Sequence, residues 1–446
     1  MNITTAMESF KKGVDEKKQG VSLDDFYAYT PDHKYIYKPT GQMWVKTGVN
    51  ADIPPIEYKD KKDGKQKEMF PSDWLDRNRS VQQMTWMPGE HQIIKDRLMI
   101  EGTLIEKKGV KCFNRYRPPN IQAGDDSKAT PWIDHVRKVY PSEADHIIKW
   151  LAARVQRPWD KPNHNLVLGG IPGVGKDTIL VPVKTAVGSW NFSEVSPETI
   201  LNNDFNPYVE CVILRISEAH DIGDFSRFQF YDKLKNLSTS PPETIMVNKK
   251  HMPEYHIPKC LGVIITSNHK DAFFLPRDDR RHFVAWSDMM PEDFGTPYFD
   301  SLYNWFESGG NEHVYAYLKT LDISDFNIKA PPDKTPVFWE IVSLNAAPED
   351  ASLMDIIDDL GEPDAITLDM IIAQCLSRYD TDFAEWLKDR KNRRAIPHRL
   401  DKCGYVPVRN DAAESGLWRI NDKRQVVYAK KTLSLSGQLR AAGKLR

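Results

Sequence analysis

The stretch that decides the fold is residues 165–178, which read NLVLGGIPGVGKDT. The apolar run at 165–168 predicts a short buried strand that ends in a glycine-rich turn. Residues 170–176 then fit the pattern G-x-x-x-x-G-K, in which backbone N–H groups surround phosphate oxygens and the next helix presents its positive end. This order predicts a phosphate-binding loop (P-loop), with a plain glycine-rich turn as the alternative. The residues expected to contact a nucleotide are Gly170, Ile171, Pro172, Gly173, Val174, Gly175, Lys176, Asp177 and Thr178.

The residue after the P-loop lysine departs from the usual pattern. Ser or Thr commonly stands there and binds Mg²⁺ through its hydroxyl, whereas this chain has Asp177 followed by Thr178. A second apolar run, 211–216, predicts a strand that ends in Ser217 and Glu218, where an acid would orient the attacking water. We expect Glu218 to be the general base and Asp177 and Thr178 to bind the metal, with Asp177 supplying the charge that Ser217 lacks. The alternative is that Asp177 only caps the following helix.

A third apolar run, residues 261–265, leads to Asn268, whose amide suits contact with the γ-phosphate or the attacking water. Further on, Arg280 and Arg281 stand beside acids, and a guanidinium at this point can neutralise developing phosphate charge as an arginine finger does. A surface ion pair is the alternative. Three short runs rich in Val and Ile, separated by other segments, predict an α/β core with a parallel sheet.

The segments around this core differ in pattern. Residues 1–125 mix short aromatic runs with Pro and Gly, which predicts a strand-rich N-terminal accessory region, and 126–160 carry apolar residues at helical spacing. The motor itself is expected at 161–320. Residues 321–365 are acidic and predict a linker or lid. Residues 366–446 show two helices, a basic helix and a hairpin, the order of a winged-helix module.

Charge is unevenly distributed along the 446 residues. The net charge is −2, yet from Lys388 onward sixteen basic and five acidic residues give +11, so the rest of the chain carries −13. This concentration predicts that the C-terminal module contacts duplex or forked DNA, with a solvated tail as the alternative. The candidate contacts on its presumed recognition helix are Arg394, His398, Arg399 and Lys402.

Composition excludes several classes of protein. No apolar stretch approaches the roughly 20 residues that cross a bilayer, and the first residues lack the pattern of a secretory signal. The five cysteines are scattered, which excludes a zinc ribbon or a disulfide framework. We therefore expect a soluble, cytoplasmic protein without a membrane partner.

The order of these motifs resembles the superfamily 3 helicases of viruses and plasmids, above all the bacteriophage and prophage branch described as primase-helicases. The segments that carry the likeness are GIPGVGKDT, ISEAHD, TIMVNKKHMPEYHIPKC, VIITSNH and DDRRHF, in that order. The resemblance implies an AAA+ fold and a ring of usually six subunits that hydrolyses ATP with Mg²⁺ while moving along single-stranded DNA. It also implies that Lys176, Glu218 and Asn268 act within one subunit, whereas Arg280 and Arg281 reach the nucleotide of the next.

The resemblance also implies a basic hairpin ahead of the Asn268 strand that grips DNA phosphates. Its matching residues are Lys249, Lys250 and His251, with a solvated turn as the alternative. Residues 1–125 show no primase motif. The sequence thus predicts a hexameric, ATP-dependent DNA helicase of phage or prophage replication, working with primase, polymerase and other replication proteins. The alternatives are a DNA-stimulated ATPase that acts as a loader or remodeller, and an ATP-switched origin-binding protein that does not unwind DNA.

Overall fold

A computed structural model describes residues 20–445, apart from 61–63, 101–102, 218–223, 239–242, 251, 271, 273, 296 and 345–347. Two of the predicted site residues, Glu218 and His251, lie outside the described residues, as do the side chains of Arg394 and Lys402. The chain forms two compact units, Met1–Trp339 and Glu340–Arg446.

The core of the first unit is a sheet of five parallel strands. Their order across the sheet is Phe192–Val195, Ile213–Ile216, Gly262–Ser267, Asn165–Gly170 and His282–Ser287. Every residue of the third and fourth strands is buried, which explains why both read as continuous apolar runs. The α/β fold with a parallel sheet is therefore confirmed.

In the sequence, helices both precede and follow the P-loop strand Asn165–Gly170. The expected helical lead-in is two helices, Thr130–Val139 and Ala144–Gln156, and the second buries Ile147 and Leu151, two of the apolar residues at helical spacing. The other helices of this part are Leu180–Val187, Pro197–Asn202, Asp224–Ser238, Pro297–Trp305 and Asn311–Thr320, and Pro336–Leu344 contains the boundary between the units.

The N-terminal region is rich in strands, as predicted, and belongs to the same unit as the parallel sheet. Met84, Trp86 and Phe113 lie in one hydrophobic core with Tyr255 and Ile257. One sheet of this region has the strand order Gln42–Trp44, Lys34–Tyr37, Phe26–Tyr29 and Ser80–Val81. A second sheet has the order Gln83–Thr85, Thr103–Asn114 and Ile93–Ile100, and a separate hairpin pairs Ile56–Lys59 with Gln66–Met69. The α-helices of the region are Lys46–Asp52 and Pro71–Asn78.

The second unit has the winged-helix arrangement that the sequence predicted. Its three antiparallel strands have the order Ala365–Thr367, Val427–Lys430 and Tyr405–Val408, and a hairpin pairs Trp418–Ile420 with Lys423–Gln425. Its helices are Pro348–Asp359, Leu368–Ser377, Thr381–Lys388, Ile396–Lys402 and Leu435–Gly443. Within the described part of the chain, no helix combines the length and the apolar character that a bilayer crossing requires.

The acidic segment expected at 321–365 as a linker or lid is structured differently. The boundary between the two units falls within this segment, after Trp339. Its helix Pro348–Asp359 places Leu353, Ile356 and Ile357 in the core of the second unit. Because these apolar residues recur at helical spacing, one face of the helix is buried while Asp355 and Asp358 stay exposed. The acidic side chains therefore mark the solvated face of a packed helix.

Half-buried His146 and buried His164 contact each other near the end of the sheet remote from the P-loop. The Nε2 atoms of His146 and His164 are 3.0 Å apart, and the His146 ring stacks on Phe283 with ring centroids 3.7 Å apart. Burial lowers the pKa of His146 to about 3, with a further contribution from His164, and lowers that of His164 to about 4. Both rings are therefore neutral at pH 7, so that one donates its N–H to the other.

These histidines predict a loss of stability in mild acid. Their pKa values are depressed in the folded state, so the unfolded chain binds more protons below its ordinary histidine pKa of about 6.5. We expect the contribution of these histidines to the free energy of unfolding to be constant above pH 7 and to fall between pH 7 and pH 5, where carboxylates remain ionised. Urea unfolding followed by tryptophan fluorescence at several pH values measures this.

A matched pair of variants tests the assignment. His146→Gln keeps a hydrogen-bonding group beside His164 but removes one titration, so its stability is expected to vary less with pH. His91→Gln, at an exposed histidine, is expected to retain the wild-type profile. Equal pH dependence in the wild type and His146→Gln would contradict the prediction.

Candidate functional site

The P-loop has the backbone conformation that its glycines allow. Gly170, Gly173 and Gly175 have φ values of 144°, 86° and 82°, a range that residues with a Cβ rarely adopt. Space is limiting as well, because a Cβ on Gly175 would lie 2.6 Å from the His135 ring, and one on Gly170 would lie 2.9 Å from the Ser287 Cβ. The loop is therefore tightly packed from below, which fixes the direction of its backbone N–H groups.

Lys176 and Asn268, two of the predicted catalytic residues, meet at the carboxyl edge of the sheet. The Lys176 Nζ donates to the Asn268 Oδ1 at 2.9 Å and to the carbonyls of Gly170 and Ile171 at 2.7 and 2.9 Å. The contact arises because strand Gly262–Ser267 lies beside the P-loop strand in parallel register. Burial lowers the pKa of the Lys176 ammonium, although Asp177 acts in the opposite direction.

Three side chains beneath the P-loop hold it, and sequence reasoning did not find them. The ring of His135 contacts the Gly175 carbonyl through Nε2 at 3.0 Å and the Tyr298 hydroxyl through Nδ1 at 3.0 Å. Burial lowers the pKa of His135, so the neutral ring donates from Nε2 and accepts at Nδ1. Trp132 donates to the Ile179 carbonyl and Tyr140 donates to the Gly169 carbonyl, both at 3.0 Å.

The only signal of this support in the sequence is the pattern of the helix Thr130–Val139. Trp132 and His135 lie three residues apart on its buried face. A polar ring on an apolar face indicates a hydrogen-bonding partner, yet it does not say that the partner is a loop 40 residues away. The helical lead-in thus positions the P-loop.

Asp177 forms an ion pair with an arginine that the motif analysis passed over. Its Oδ1 lies 2.5 Å from the Nη2 of Arg215, which also reaches Glu194 at 3.3 Å. Arg215 is in strand Ile213–Ile216, directly before Ser217, so Asp177 places its charge beside the strand end that lacks an acid. Among the described residues no side chain caps the helix Leu180–Val187. The hydroxyl of buried Thr178 lies 3.3 Å from that of Tyr303.

Arg280 and Arg281 lie at the opposite end of the sheet from the P-loop. They precede strand His282–Ser287, whose first residue pairs with Asn165 and whose last pairs with Gly170. Five residues of strand separate the two ends by roughly 16 Å. The two arginines are therefore too distant to contact a phosphate on the P-loop of their own chain.

The turn that carries these arginines is held by buried Asp279. Its Oδ1 accepts from the backbone N–H groups of Arg281 and His282 at 2.8 and 2.9 Å, and Oδ2 accepts from the Tyr231 hydroxyl. Burial raises the pKa of Asp279, but these bonds and the His282 ring outweigh it and lower the pKa to about 2. Because Asp279 is bound to the backbone, the guanidinium of Arg280 stays exposed.

The predicted basic hairpin is present, and its two lysines have different environments. Strands Thr244–Val247 and Tyr255–Pro258 pair antiparallel, and the turn between them exposes Lys250. Lys249 instead points inward and forms an ion pair with Glu210, and its burial lowers its pKa although Glu210 opposes this. Of the two, Lys250 is the one displayed to solvent.

The candidate DNA contacts of the second unit also differ from one another. His398 is exposed on the helix Ile396–Lys402. Arg399 pairs with Asp350 and, at 3.4 Å, with Glu349, and its guanidinium lies 5.0 Å from the centre of the Trp386 ring. Arg399 thus ties its helix to the acidic helix of this unit.

Known proteins resemble this chain in part of its sequence and in its fold. Residues 168–281 match the model of a family of unknown function (DUF5906), a span that starts in the P-loop strand and ends at Arg281. The DNA primase-polymerase of Nitratiruptor phage NrS-1 is 26% identical over 185 residues. That match covers 40% of this chain and 25% of the phage protein, so the chain matches about a quarter of the relative's length.

Solved structures extend the likeness to the fold. The apo structure of the NrS-1 C-terminal region covers 91% of this chain and 95% of that chain, with a TM-score of 0.62 and 14% identity. The JCV helicase aligns over 52% of this chain and 65% of that chain at 14% identity, with a TM-score of 0.30 that is too low to establish a common fold. The chain therefore shares its fold with the C-terminal region of a phage replication protein, and function has to be argued from the site.

Proposed function

We propose that this chain is an ATP-hydrolysing motor of phage or prophage DNA replication that moves along single-stranded DNA and unwinds forks as a ring of six. The observation that carries the proposal is the contact of 2.9 Å between the Lys176 Nζ and the Asn268 Oδ1, beside a loop of three glycines with positive φ. A cation and an amide thus lie together beside a glycine-rich loop at one edge of a parallel sheet, where ligands of such folds bind. The similarity to a phage primase-polymerase supports a role in replication.

The residues of this edge fit ATP with Mg²⁺. Lys176 and the backbone N–H groups of residues 173–176 would hold the β- and γ-phosphates, and Asn268 would orient the γ-phosphate or the water. Asp177 and Thr178, which follow Lys176 in the sequence, would hold Mg²⁺, which needs only one or two protein ligands and would neutralise charge on the phosphates. Glu218, the proposed base, follows Ser217 at the end of strand Ile213–Ile216.

The Mg²⁺ requirement tests the role of Asp177. We expect Asp177→Ala to raise the Mg²⁺ concentration for half-maximal ATP hydrolysis by roughly tenfold or more, because a carboxylate beside the metal is lost. Asp177→Ser is expected to show a smaller shift, since a hydroxyl commonly binds the metal at this position. Titration of hydrolysis with Mg²⁺ measures both.

Glu194→Ala is the matched control for that experiment. Glu194 also pairs with Arg215 but belongs to strand Phe192–Val195, outside the P-loop. If Asp177 serves only to neutralise Arg215, all three variants will keep the wild-type Mg²⁺ requirement, and the metal role will be refuted.

The hairpin lysines predict two different effects. Lys250→Ala is expected to weaken binding of single-stranded DNA and to reduce the slope of log affinity against log salt by about 0.7, the value for one phosphate contact. Lys249→Ala is expected mainly to lower stability, because it leaves the buried Glu210 with one cation fewer. Fluorescence anisotropy of a labelled oligonucleotide in a salt series, beside thermal unfolding, separates the two effects.

The control for the hairpin variants is Lys108→Ala, at an exposed lysine of strand Thr103–Asn114. It removes the same charge away from the hairpin. Equal weakening of DNA binding by Lys108→Ala and Lys250→Ala would show a non-specific charge effect and refute the hairpin assignment.

The winged-helix fold of the second unit, whose residues from Lys388 onward carry a net charge of +11, favours one further candidate, an ATP-switched protein that binds an origin without unwinding it. Such a switch does not need a base that activates water, so its slow hydrolysis would be insensitive to Glu218→Gln. The proposed motor is expected to lose turnover in that variant. A DNA-stimulated loader would lose turnover too, but its wild type would not displace a strand from a fork.

A further inference from the structure

A polar cavity of about 230 Å³ lies where the N-terminal strands, the edge of the parallel sheet and the turn of the hairpin meet. Of the described residues that line it, four are cations and one is an acid: Lys38, Arg115, Arg117, Lys249 and Glu210. Three of the cations come from the N-terminal region and one from the hairpin. The cavity therefore carries an excess of three positive charges, held by parts of the chain that are distant in sequence.

The single acid of the lining is already fully paired. Glu210 is 9% exposed; its Oε1 accepts from the Arg115 Nε at 3.1 Å and from the Tyr255 hydroxyl, and its Oε2 accepts from Lys249. It can offset one positive charge and has no capacity left for the others. Positive charges this close in a recessed site repel one another, and an anion between them relieves that repulsion.

Arg117 is held in a fixed position, and Glu210 does not pair with its charge. Its Nη1 donates to the Pro39 carbonyl at 2.6 Å, and its guanidinium lies 5.1 Å from the centre of the Trp190 ring. The Trp190 Nε1 donates in turn to the Arg117 carbonyl at 2.8 Å. Trp190 is 42% exposed, so a flat aromatic surface lies at the rim of a cationic cavity.

A second, independent sign of a ligand is the amide of Asn191, which lines the same cavity and is 1% exposed. Its Nδ2 donates to the carbonyls of Arg117 and Val187 at 2.8 and 2.9 Å, whereas its Oδ1 is buried and has no hydrogen-bond partner among the described residues. A buried acceptor without a donor is costly and rare. The cavity thus offers cations for an anion together with one acceptor for an N–H or O–H donor.

We propose that this cavity, the N-terminal phosphate pocket, binds a phosphate of a single DNA strand, with an adjacent base stacked on Trp190. Its volume lies below the 300–1,000 Å³ typical of whole small-molecule sites, which suits one phosphate with its base outside the cavity. Water bound beside the phosphate would supply the donor that the Asn191 Oδ1 needs. An exposed aromatic ring beside a cationic groove is the usual means of holding single strands without reading sequence.

The pocket would extend the DNA path of the proposed motor and in that respect rests on the proposed function. Lys249, in its lining, precedes Lys250, which the hairpin displays to solvent. A strand gripped at Lys250 would therefore continue past Lys249 in the hairpin turn to residues of the N-terminal region. This gives the N-terminal region a task in holding DNA that none of its sequence motifs indicates.

The test is binding of a fluorescent oligothymidylate to the full chain. The double variant Lys38→Ala with Arg117→Ala is expected to bind at least tenfold more weakly and to lose about 0.7 of the salt slope, as for one phosphate. Trp190→Ala is expected to weaken binding by roughly tenfold through lost stacking, and Arg117→Lys to lie between, because it keeps charge but not the planar fork. Lys108→Ala is the control that should bind like the wild type.

Each outcome decides the proposal. Wild-type affinity in the double variant and in Trp190→Ala would overturn it. If thermal unfolding shows that the double variant is not folded, the single variants Lys38→Ala and Arg117→Lys are tested in its place. If 10 mM inorganic phosphate stabilises the wild type but not the variants, and DNA binding is unchanged, the pocket holds free phosphate and the DNA assignment is wrong.

The proposed function fails in a different experiment. ATP hydrolysis by the wild type is measured without DNA, so its absence would refute the motor whether or not the pocket variants weaken DNA binding. Conversely, normal hydrolysis with unchanged DNA binding in the variants would refute the pocket alone.

Discussion

Replacing Lys176 by alanine is expected to reduce ATP hydrolysis at least a hundredfold. The ammonium of Lys176 is the cation in the P-loop, and the Asn268 amide with the Gly170 and Ile171 carbonyls fixes its position. Removing one preoriented donor from developing phosphate charge typically costs 10² to 10³ in rate, or about 3 to 4 kcal/mol. Release of inorganic phosphate at saturating ATP measures the effect.

The matched control is Lys184→Ala, in the helix that follows the P-loop. Lys184 is half exposed and pairs with Glu194 at 3.2 Å, so its loss changes the charge by the same amount without touching the loop. Hydrolysis by this variant is expected to stay within about threefold of wild type. A Lys176→Ala variant that retains a third or more of the wild-type rate would contradict the assignment of the P-loop.

The second large effect is expected from the arginines at the far end of the sheet. Arg281→Ala or Arg280→Ala should lower turnover by about 10³ while nucleotide binding and assembly are kept, as for loss of an arginine finger supplied by a neighbour. The separation of roughly 16 Å from the P-loop edge and the anchoring of this turn by Asp279 mean that any action on a nucleotide crosses to another subunit. Turnover and binding of a fluorescent ATP analogue are measured on each variant.

Mixing variants separates an action between subunits from a structural effect. A mixture of Arg281→Ala with Lys176→Ala should recover part of the hydrolysis, because an intact P-loop from one chain meets an intact arginine from the other. Normal turnover in both single arginine variants would remove the finger assignment. No recovery on mixing, with assembly intact, would place the arginine effect within one chain.

The fold of the core was predictable because fully buried parallel strands leave a strong pattern. Strand Asn165–Gly170 and strand Gly262–Ser267 are buried at every residue and read as unbroken apolar runs. Strand His282–Ser287 was missed, since its sequence HFVAWS mixes polar and apolar residues and follows a cluster of charges. The glycine-rich loop was recognised because G-x-x-x-x-G-K has a physical requirement at each fixed position.

Partners in tertiary contacts could not be predicted, because composition reveals a charge and not what faces it. Asp177 is paired with Arg215, and Lys249 with Glu210, across 38 and 39 residues of sequence. Lys249 therefore read as a free basic residue although it belongs to a buried pair. The support of the P-loop by His135 escaped notice for the same reason, since its partner Gly175 lies 40 residues further on.

The acidic segment shows how composition can conceal a pattern. Asp355, Asp358 and their neighbours suggested a solvated linker, while Leu353, Ile356 and Ile357 recur at the spacing of one helix face. Because the apolar residues decide which face is buried, the helix packs into the core of the second unit and leaves Asp355 and Asp358 exposed. Arg399, expected on DNA, is one of the cations that this helix binds.

The central claim is that hydrolysis at the P-loop drives strand separation. The most direct measurement is displacement of a labelled strand from a forked duplex by the full chain, with the wild type and Lys176→Ala compared in the presence of ATP and Mg²⁺. We expect the wild type to displace the strand only when ATP and Mg²⁺ are both present, and Lys176→Ala not to displace it. Displacement by Lys176→Ala, or ATP hydrolysis by the wild type without any displacement, would contradict the account.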